Sequence, residues 1–389
     1  MQFIHFSDTH LGYAAYRQTS ENGYNQREED VLAALAQAID KIIELRPDFV
    51  IHAGDLFHTV RPTNRIIHFA IEQILRLVRA QIPTVIISGN HETPKQRYIG
   101  NVFKILEGVR DALPAGQNLL QIVYKMQYET IKIGKATIHA IPQCRNGEEF
   151  NRELAKVKPD TSAEKNILVL HCGVKGMREF AQGDFNELLV DYEYLAQSPF
   201  DYIALGHFHN FSKVTQKAFF SGSTERMSFN EAGFDKGLLV VDLEKPFLAP
   251  ANPCFHPLKI RPMLELDPID AQHQDAAAIG ETVDTILRQN NLTDKIVRIK
   301  VKNIQPSALA ILDTKKIREA AQTALHFEPI FEKAAETGAA VTLQTSIGGV
   351  VEEFIAFMHA RTDLDPAYKK DLLEQGIDYL NRAMEESEK

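Results

Sequence analysis

Phe49-Val50-Ile51-His52-Ala53 is an apolar run that follows Pro47-Asp48 and stops at Gly54-Asp55. It reads as a buried strand. Gly54 ends it, so Asp55 presents a carboxylate beyond the strand's C-terminal end. In open α/β sheets ligands collect at that edge. A single carboxylate there, three residues before His58, is ordinarily a salt-bridged turn residue. The arrangement recurs, however. Gln2-Phe3-Ile4-His5-Phe6 runs into Ser7-Asp8-Thr9-His10, and Thr84-Val85-Ile86-Ile87-Ser88 into Gly89-Asn90-His91-Glu92. Ile167-Leu168-Val169-Leu170 ends at His171, and Asp201-Tyr202-Ile203-Ala204-Leu205 ends at Gly206-His207-Phe208-His209.

Between the first three runs the periodicity is helical. Val31, Leu32, Leu35, Ile39, Ile42 and Ile43 share one face, after a capping-box-like start at Asn25 and Glu28. Ile66, Ile67, Ala70, Ile71, Ile74, Leu75 and Val78 share another, opened by Thr63 or Asn64. This β-α-β-α-β beginning implies a mostly parallel sheet covered by helices. The middle is richer in short strands, expected over 119–124, 129–133, 136–141, 218–221 and 237–243. A first domain over 1–245 is followed by five prolines within 246–262, which suggest a linker or an extended edge segment. Residues 263–347 read as a smaller α+β domain. Gly348-Gly349 introduces two helices over 348–389. Val350, Phe354, Ile355 and Met358 line the first; Tyr368, Leu372, Leu373, Ile377, Leu380 and Met384 line the second, which opens on Asp365-Pro366. Such a pair rarely makes a stable core alone, so its apolar faces need either the second domain or another chain.

A chain of 389 residues can bury a sizeable core. No stretch approaches the roughly 20 apolar residues of a membrane span, and the N-terminus shows no signal-peptide pattern. Cys144, Cys172 and Cys254 form no metal-spaced pair and leave one over for any disulfide scheme, so a reducing cytoplasm is the expected setting. The net charge of −9 excludes a nonspecific polycation. A nucleic-acid substrate would have to be held by local charge or by metal ions.

Asp8, His10, Asp55, Asn90, His171, His207 and His209 are seven oxygen or nitrogen donors on five strand-terminal loops. That is too many for one tetrahedral ion. It suits two ions sharing Asp55, with open positions left for water and substrate. Two divalent cations against two carboxylates leave a positive site suited to phosphate oxygens. Imidazole and carboxylate without thiolate favour Mn²⁺, Fe or Zn²⁺ over calcium. Each residue alone has an ordinary explanation: His171 as a structural histidine, Asn90 as a left-handed turn, Asp8 as a cap. None explains five strand ends carrying donors, two of them with i,i+2 pairs. His5, His52, His68, His139 and His256 fit no such pattern and are expected to be structural, as is Cys172.

Asp8-Thr9-His10, Gly54-Asp55, Gly89-Asn90-His91-Glu92, His171 and Gly206-His207-Phe208-His209 resemble the five motifs of the calcineurin-like metallophosphoesterases. His10-Leu11-Gly12-Tyr13, Gly54-Asp55-Leu56-Phe57-His58 with Arg61-Pro62, and Gly222-Ser223-Thr224-Glu225-Arg226 are similar to the SbcD nucleases, prokaryotic relatives of the Mre-eleven break-repair nuclease. The resemblance covers residues 1 to about 245. It implies an α/β fold: a β-sandwich flanked by helices, with an α+β capping domain that binds DNA and a C-terminal helical pair. It places Asp8, His10, Asp55 and His209 on one divalent ion, and Asp55, Asn90, His171 and His207 on the other, with Mn²⁺ the expected metal. His91 would stand by the leaving oxygen and His58 would orient the phosphodiester. The family's usual Asp after that histidine is Glu92 here, and an acid of either length could hold the His91 imidazole. The implied activity is DNA cleavage in double-strand break repair, as a double-strand 3′–5′ exonuclease and a single-strand or hairpin endonuclease. The implied partners are an SbcC-type coiled-coil ATPase docked on the C-terminal helices and a second copy in a homodimer. A phosphoesterase for a small nucleotide or a phosphoprotein is the alternative with the same core.

Overall fold

The computed structural model describes residues 1–96, 99–114, 118–177, 187–247 and 252–334, with isolated positions between 354 and 377. In chain order the first strands are β1 (Gln2–Phe6), β2 (Phe49–His52), β3 (Thr84–Ile87) and β4 (Leu120–Val123). The middle supplies β5 (Glu129–Ile133), β6 (Ala136–Ile141), β7 (Lys165–His171), β8 (Gly173–Lys175), β9 (Leu189–Asp191), β10 (Tyr202–Gly206), β11 (Ser212–Lys213) and β12 (Ala218–Phe220). They are followed by β13 (Gly237–Asp242), β14 (Cys254–Pro257), β15 (Met263–Glu265), β16 (Ile269–Asp270), β17 (Ile296–Ile304) and β18 (His326–Lys333).

Two six-stranded sheets result, ordered β14-β13-β1-β2-β3-β4 and β11-β12-β10-β7-β6-β5. They are stacked. Phe3, Phe49, Ile51, Val85 and Ile87 of the first pack against Ile138, Ala140, Ile167, Val169, Tyr202 and Phe219 of the second. Alternate residues of the first sheet, Ile4, Val50 and Ile86, face outward onto α1 (Gln26–Leu45), α2 (Asn64–Arg79) and α3 (Phe103–Asp111). The second sheet's outer face is covered by α4 (Gly147–Leu154) and α5 (Tyr192–Ala196). Because both faces are covered, these strands are apolar throughout rather than alternating. The chain is thus a helix-flanked sandwich of mixed sheets, and the mostly parallel sheet that its first third suggests is one of the two. β1 to β4 do run parallel, and the antiparallel pairs come from β13, β14, β5 and β11.

The caps follow the sequence. The Asn25 side chain accepts the N–H groups of Arg27 and Glu28 at 3.0 and 3.3 Å, and Thr63 accepts that of Ile66 at 3.4 Å. Glu28 does not close the capping box; its carboxylate pairs with Arg65 of α2 instead. The proline-dense segment supplies β14, which adds to the open edge of β13. Such an edge is a row of unpaired N–H and C=O groups that a passing extended segment satisfies.

Residues 263–333 build a third sheet in which β15, β16 and β18 all pair parallel with β17. Its own core lies under α6 (Ala276–Gln289), α7 (Pro306–Ile311) and α8 (Thr314–Ala320). Phe229, Met263 and Ile296 form a small cluster between this module and the sandwich, with the Arg298 guanidinium 3.9 Å over the Phe229 ring. Tyr16 stacks on His326 at 3.7 Å. Arg27, buried in α1, reaches Glu225 at 3.3 Å and Asp30 at 2.7 Å, and Asp30 in turn binds Arg261 at 2.6 Å. Residues 1–333 form one compact unit and 334–389 another. In the latter, positions 354, 355, 358, 369, 370, 372, 373 and 375–377 are helical, and Gly376 leaves room for the ring of Phe354. Val350, Tyr368, Leu380 and Met384, expected on the helix faces, lie outside the described residues. Among the described residues no helix is long and apolar enough to cross a membrane.

Candidate metal centre

β1, β2 and β3 are parallel, as are β7 and β10 in the facing sheet, so their C-terminal ends form one edge of the sandwich. All seven expected donors, with His58 and His91, meet there. Asp8, His10 and His209 bring ligand atoms within 4.8 Å of one another, and so do Asp8, Asp55 and His171. His10, His58 and His91 form a third such group.

Local backbone geometry aims these side chains. Asp8, His10, Asp55 and His207 have φ of 52°, 47°, 54° and 102°. Left-handed backbone at a non-glycine residue costs about 1–3 kcal/mol and persists where its surroundings over-determine it. Here the loops after β1 and β2 are laced together, with the N–H groups of Asp8 and His10 donating to the carbonyls of Gly54 and Asp55 at 3.0 Å. Gly54, at φ +100°, lies under the His171 ring, where a Cβ would collide with Nδ1. Gly89 has no room for a Cβ beside the Asp55 carboxylate. Asp55 Oδ1 accepts the His91 N–H, and Asp8 Oδ1 accepts the His207 N–H, both at 3.0 Å.

The donor set fits cations. His171 Nδ1 lies 2.9 Å from the Ala53 carbonyl, which can only accept, so its proton is on Nδ1. Its Nε2 lone pair then faces Asn90 Oδ1 at 2.9 Å and Asp55 Oδ2 at 3.2 Å. His209 Nδ1 and His207 Nε2 each lie 3.0 Å from a carboxylate, Glu231 and Glu187 respectively. That turns His209 Nε2 toward His10 Nε2 at 3.0 Å and His207 Nδ1 toward Asn90 Oδ1 at 3.3 Å. At the two Asn90 contacts an imidazole lone pair therefore faces the amide oxygen, an arrangement that a proton or a metal ion between them stabilises. Imidazoles held at the far nitrogen by a carbonyl or carboxylate are the usual outer support of metal sites.

The same contacts shift the titration of the site. Burial opposes the Asp55 anion, but the neighbouring imidazoles, His171 foremost, hold its carboxyl well below the usual range. Burial likewise opposes a charged His171, yet Asp55 and Asp8 raise it to about 10. His10 is pushed well below its ordinary value by burial, against the pull of Asp55. His58 falls to about 4, through burial and then the nearby His91.

One expectation is modified. Glu92 does not hold the His91 imidazole. It is fully buried, its Oε1 accepts the Gly89 N–H at 2.7 Å, and burial together with Asp55 pushes its carboxyl well above the ordinary range. The His58 carbonyl, 3.1 Å from Nδ1, holds the His91 ring instead. The Gly222–Arg226 motif is structural: Glu225 and the Arg226 carbonyl receive buried Arg27. Three of the histidines left out of the site are engaged elsewhere. His5 meets Tyr202, His139 lies between Tyr128 and Asn166, and His52 contacts Thr9 from behind the site. Glu187 and Glu231 are the residues that sequence reasoning missed.

Residues 1–211 match the family model of the calcineurin-like phosphoesterases. The chain belongs to that family. Within it, the chain is similar to proteins described as DNA double-strand break repair protein Mre11. It is 32% identical over 239 residues to that of Methanococcus maripaludis, covering 59% of each chain. It is 34% identical over 210 residues to that of Sulfurisphaera tokodaii, covering 54% of this chain and 49% of the other. The protein of Archaeoglobus fulgidus is 26% identical over 355 residues, 86% of this chain and 76% of that one. The chain thus spans about half to three-fifths of the first two relatives.

Proposed function

We propose that this chain is a Mn²⁺-dependent DNA nuclease acting in double-strand break repair. The observation that carries the reading is the gathering of aspartate and histidine ligand atoms within 4.8 Å of one another at the sandwich edge. Asp8, His10, Asp55 and His209 would hold one ion, and Asp55, Asn90, His171 and His207 the other. When bound, the pair supplies Lewis-acid polarisation of phosphoryl oxygens and an activated water. The chain's own residues do the rest. With Nδ1–H held by the His58 carbonyl, the far nitrogen Nε2 of His91 is the atom that would pass a proton to the departing sugar oxygen. His58, stacked on His91 at 5.1 Å between ring centres, orients the phosphodiester. The similarity to Mre11 proteins supports DNA rather than a small ester as substrate.

The proposal extends to the rest of the chain. Residues 263–347 cap the site and contact DNA, a second copy forms a homodimer, and the helices over 348–389 dock on an SbcC-type ATPase. Truncation after Thr345 would then leave a nuclease that no longer co-purifies with the ATPase; unchanged binding would refute the docking assignment. The activity is tested with purified protein and Mn²⁺, offered hairpin DNA, single-stranded circular DNA and a chromogenic phosphodiester. Cleavage of DNA is expected. Turnover of the chromogenic ester with both DNAs left intact would favour a small-substrate phosphoesterase.

A further inference from the structure

A cavity of about 210 Å³ opens beside Asn90 and His91, away from the other donors. Three loops wall it, residues 88–95 after β3, Met126 after β4 and residues 142–145 after β6, the first and last tied together where the Gln143 N–H donates to the Ser88 carbonyl at 2.9 Å. Its lining is mixed. Pro94 and Met126 give apolar walls, buried Gln143 offers an amide, and the exposed cations Lys95 and Arg145 stand at the rim. Arg145 pairs with Glu149 at 3.2 Å, with about half of its own side chain exposed. Exposed pairs of this kind contribute little, so a phosphate can compete for the guanidinium. Two cations together are notable on a chain of net charge −9.

We infer that this cavity is a subsite for the nucleotide that carries the leaving oxygen. Its base lies between Pro94 and Met126 with a polar edge toward Gln143, and its further phosphate meets Lys95 and Arg145. The inference rests on the nuclease reading above, because it is His91, facing the leaving oxygen, that sets which side of the scissile bond the cavity serves. The volume is below the roughly 300–1,000 Å³ of a drug-sized ligand pocket, so one base fits and a base pair does not. The nucleotide entering it is unpaired, as bases read outside a duplex are. Single strands, loops and frayed ends are therefore the substrates that the subsite selects.

The test compares the full chain with its Lys95→Glu/Arg145→Glu variant, with Mn²⁺ present. The substrates are a single-stranded pentanucleotide and a chromogenic phosphodiester that lacks a second phosphate. The ratio of kcat/KM for the oligonucleotide to that for the ester is expected to fall about tenfold, through KM. The slope of log KM against log salt should flatten by about 0.7, the contribution of one neutralised single-strand phosphate. Met126→Trp, which fills the cavity, should lower the same ratio while keeping the salt slope. An unchanged ratio in both variants, or equal loss on both substrates, overturns the subsite. If the unmodified chain cleaves the ester but no DNA, the nuclease reading itself fails, and the subsite with it.

Discussion

Glu231 is a carboxylate with two duties, and replacing it by glutamine separates them. It sits at the end of a single 3₁₀ turn, Phe229–Glu231, with Oε1 3.0 Å from His209 Nδ1 and Oε2 2.6 Å from Lys236 Nζ. The Lys236 side chain has no exposed surface; its other partners are the His209 carbonyl at 2.7 Å and Asn210 Oδ1 at 3.0 Å, both neutral. Glu231→Gln leaves that ammonium buried without a counter-charge. Breaking a buried pair costs about 3–5 kcal/mol, and the surviving neutral acceptors favour the lower end. The same change removes the charge that fixes the His209 tautomer, and losing such support typically costs about 10–100-fold in metal affinity. Urea unfolding reads the first effect and Mn²⁺ calorimetry the second. The double variant Glu231→Gln/Lys236→Met removes both charges. It should regain most of the stability yet still bind the ion at His209 weakly. Recovery of metal affinity together with stability would make Glu231 a counter-ion for Lys236 only and refute its role at the site.

Three further outcomes follow from the geometry. His91→Asn should keep metal content while losing about 10²–10⁴-fold in turnover, the usual contribution of a general acid; parallel loss of metal, measured by elemental analysis, would move His91 into the coordination set. Arg27→Met should destabilise by about 3–5 kcal/mol in urea, because Arg27 and Glu225 are each 1% exposed. Asp40→Ala, which removes the exposed partner of Arg76, should cost at most about 1 kcal/mol, and equal effects would contradict this ranking. Burial pushes the Cys144 thiol up to about 12 and raises Cys172 as well. At pH 8 iodoacetamide should therefore label half-buried Cys254 first. Labelling of Cys144 should climb about tenfold per pH unit as its thiolate fraction grows, and mass spectrometry showing Cys144 modified as fast as Cys254 would contradict it.

The convergence of the candidate donors was legible in the sequence because each ends an apolar run, and parallel strands bring such ends to one edge. Gly54 and Gly206 marked two of the turns. Nothing local marked Glu187 or Glu231, which lie 20 and 22 residues from the histidines they support. A lone glutamate between polar neighbours carries no periodic signal, so only the folded chain identifies it. Glu92 misled for the opposite reason. Its place beside His91 suggested a hydrogen bond, but consecutive side chains diverge, and this one turns inward to the Gly89 N–H. The strands of the second sheet were legible, but the helices α4 and α5 that cover it were not: at 8 and 5 residues they are too brief for helical periodicity to emerge.

The central claim is that one edge of the sandwich holds two cations through a shared Asp55. Titration of the metal-stripped chain with Mn²⁺, followed by elemental analysis after desalting, measures it directly. Two ions per chain are expected for the unmodified protein, and Asp55→Ala should lower occupancy at both sites together with DNA cleavage. A single ion in the unmodified chain, or two retained in Asp55→Ala, would contradict the shared centre.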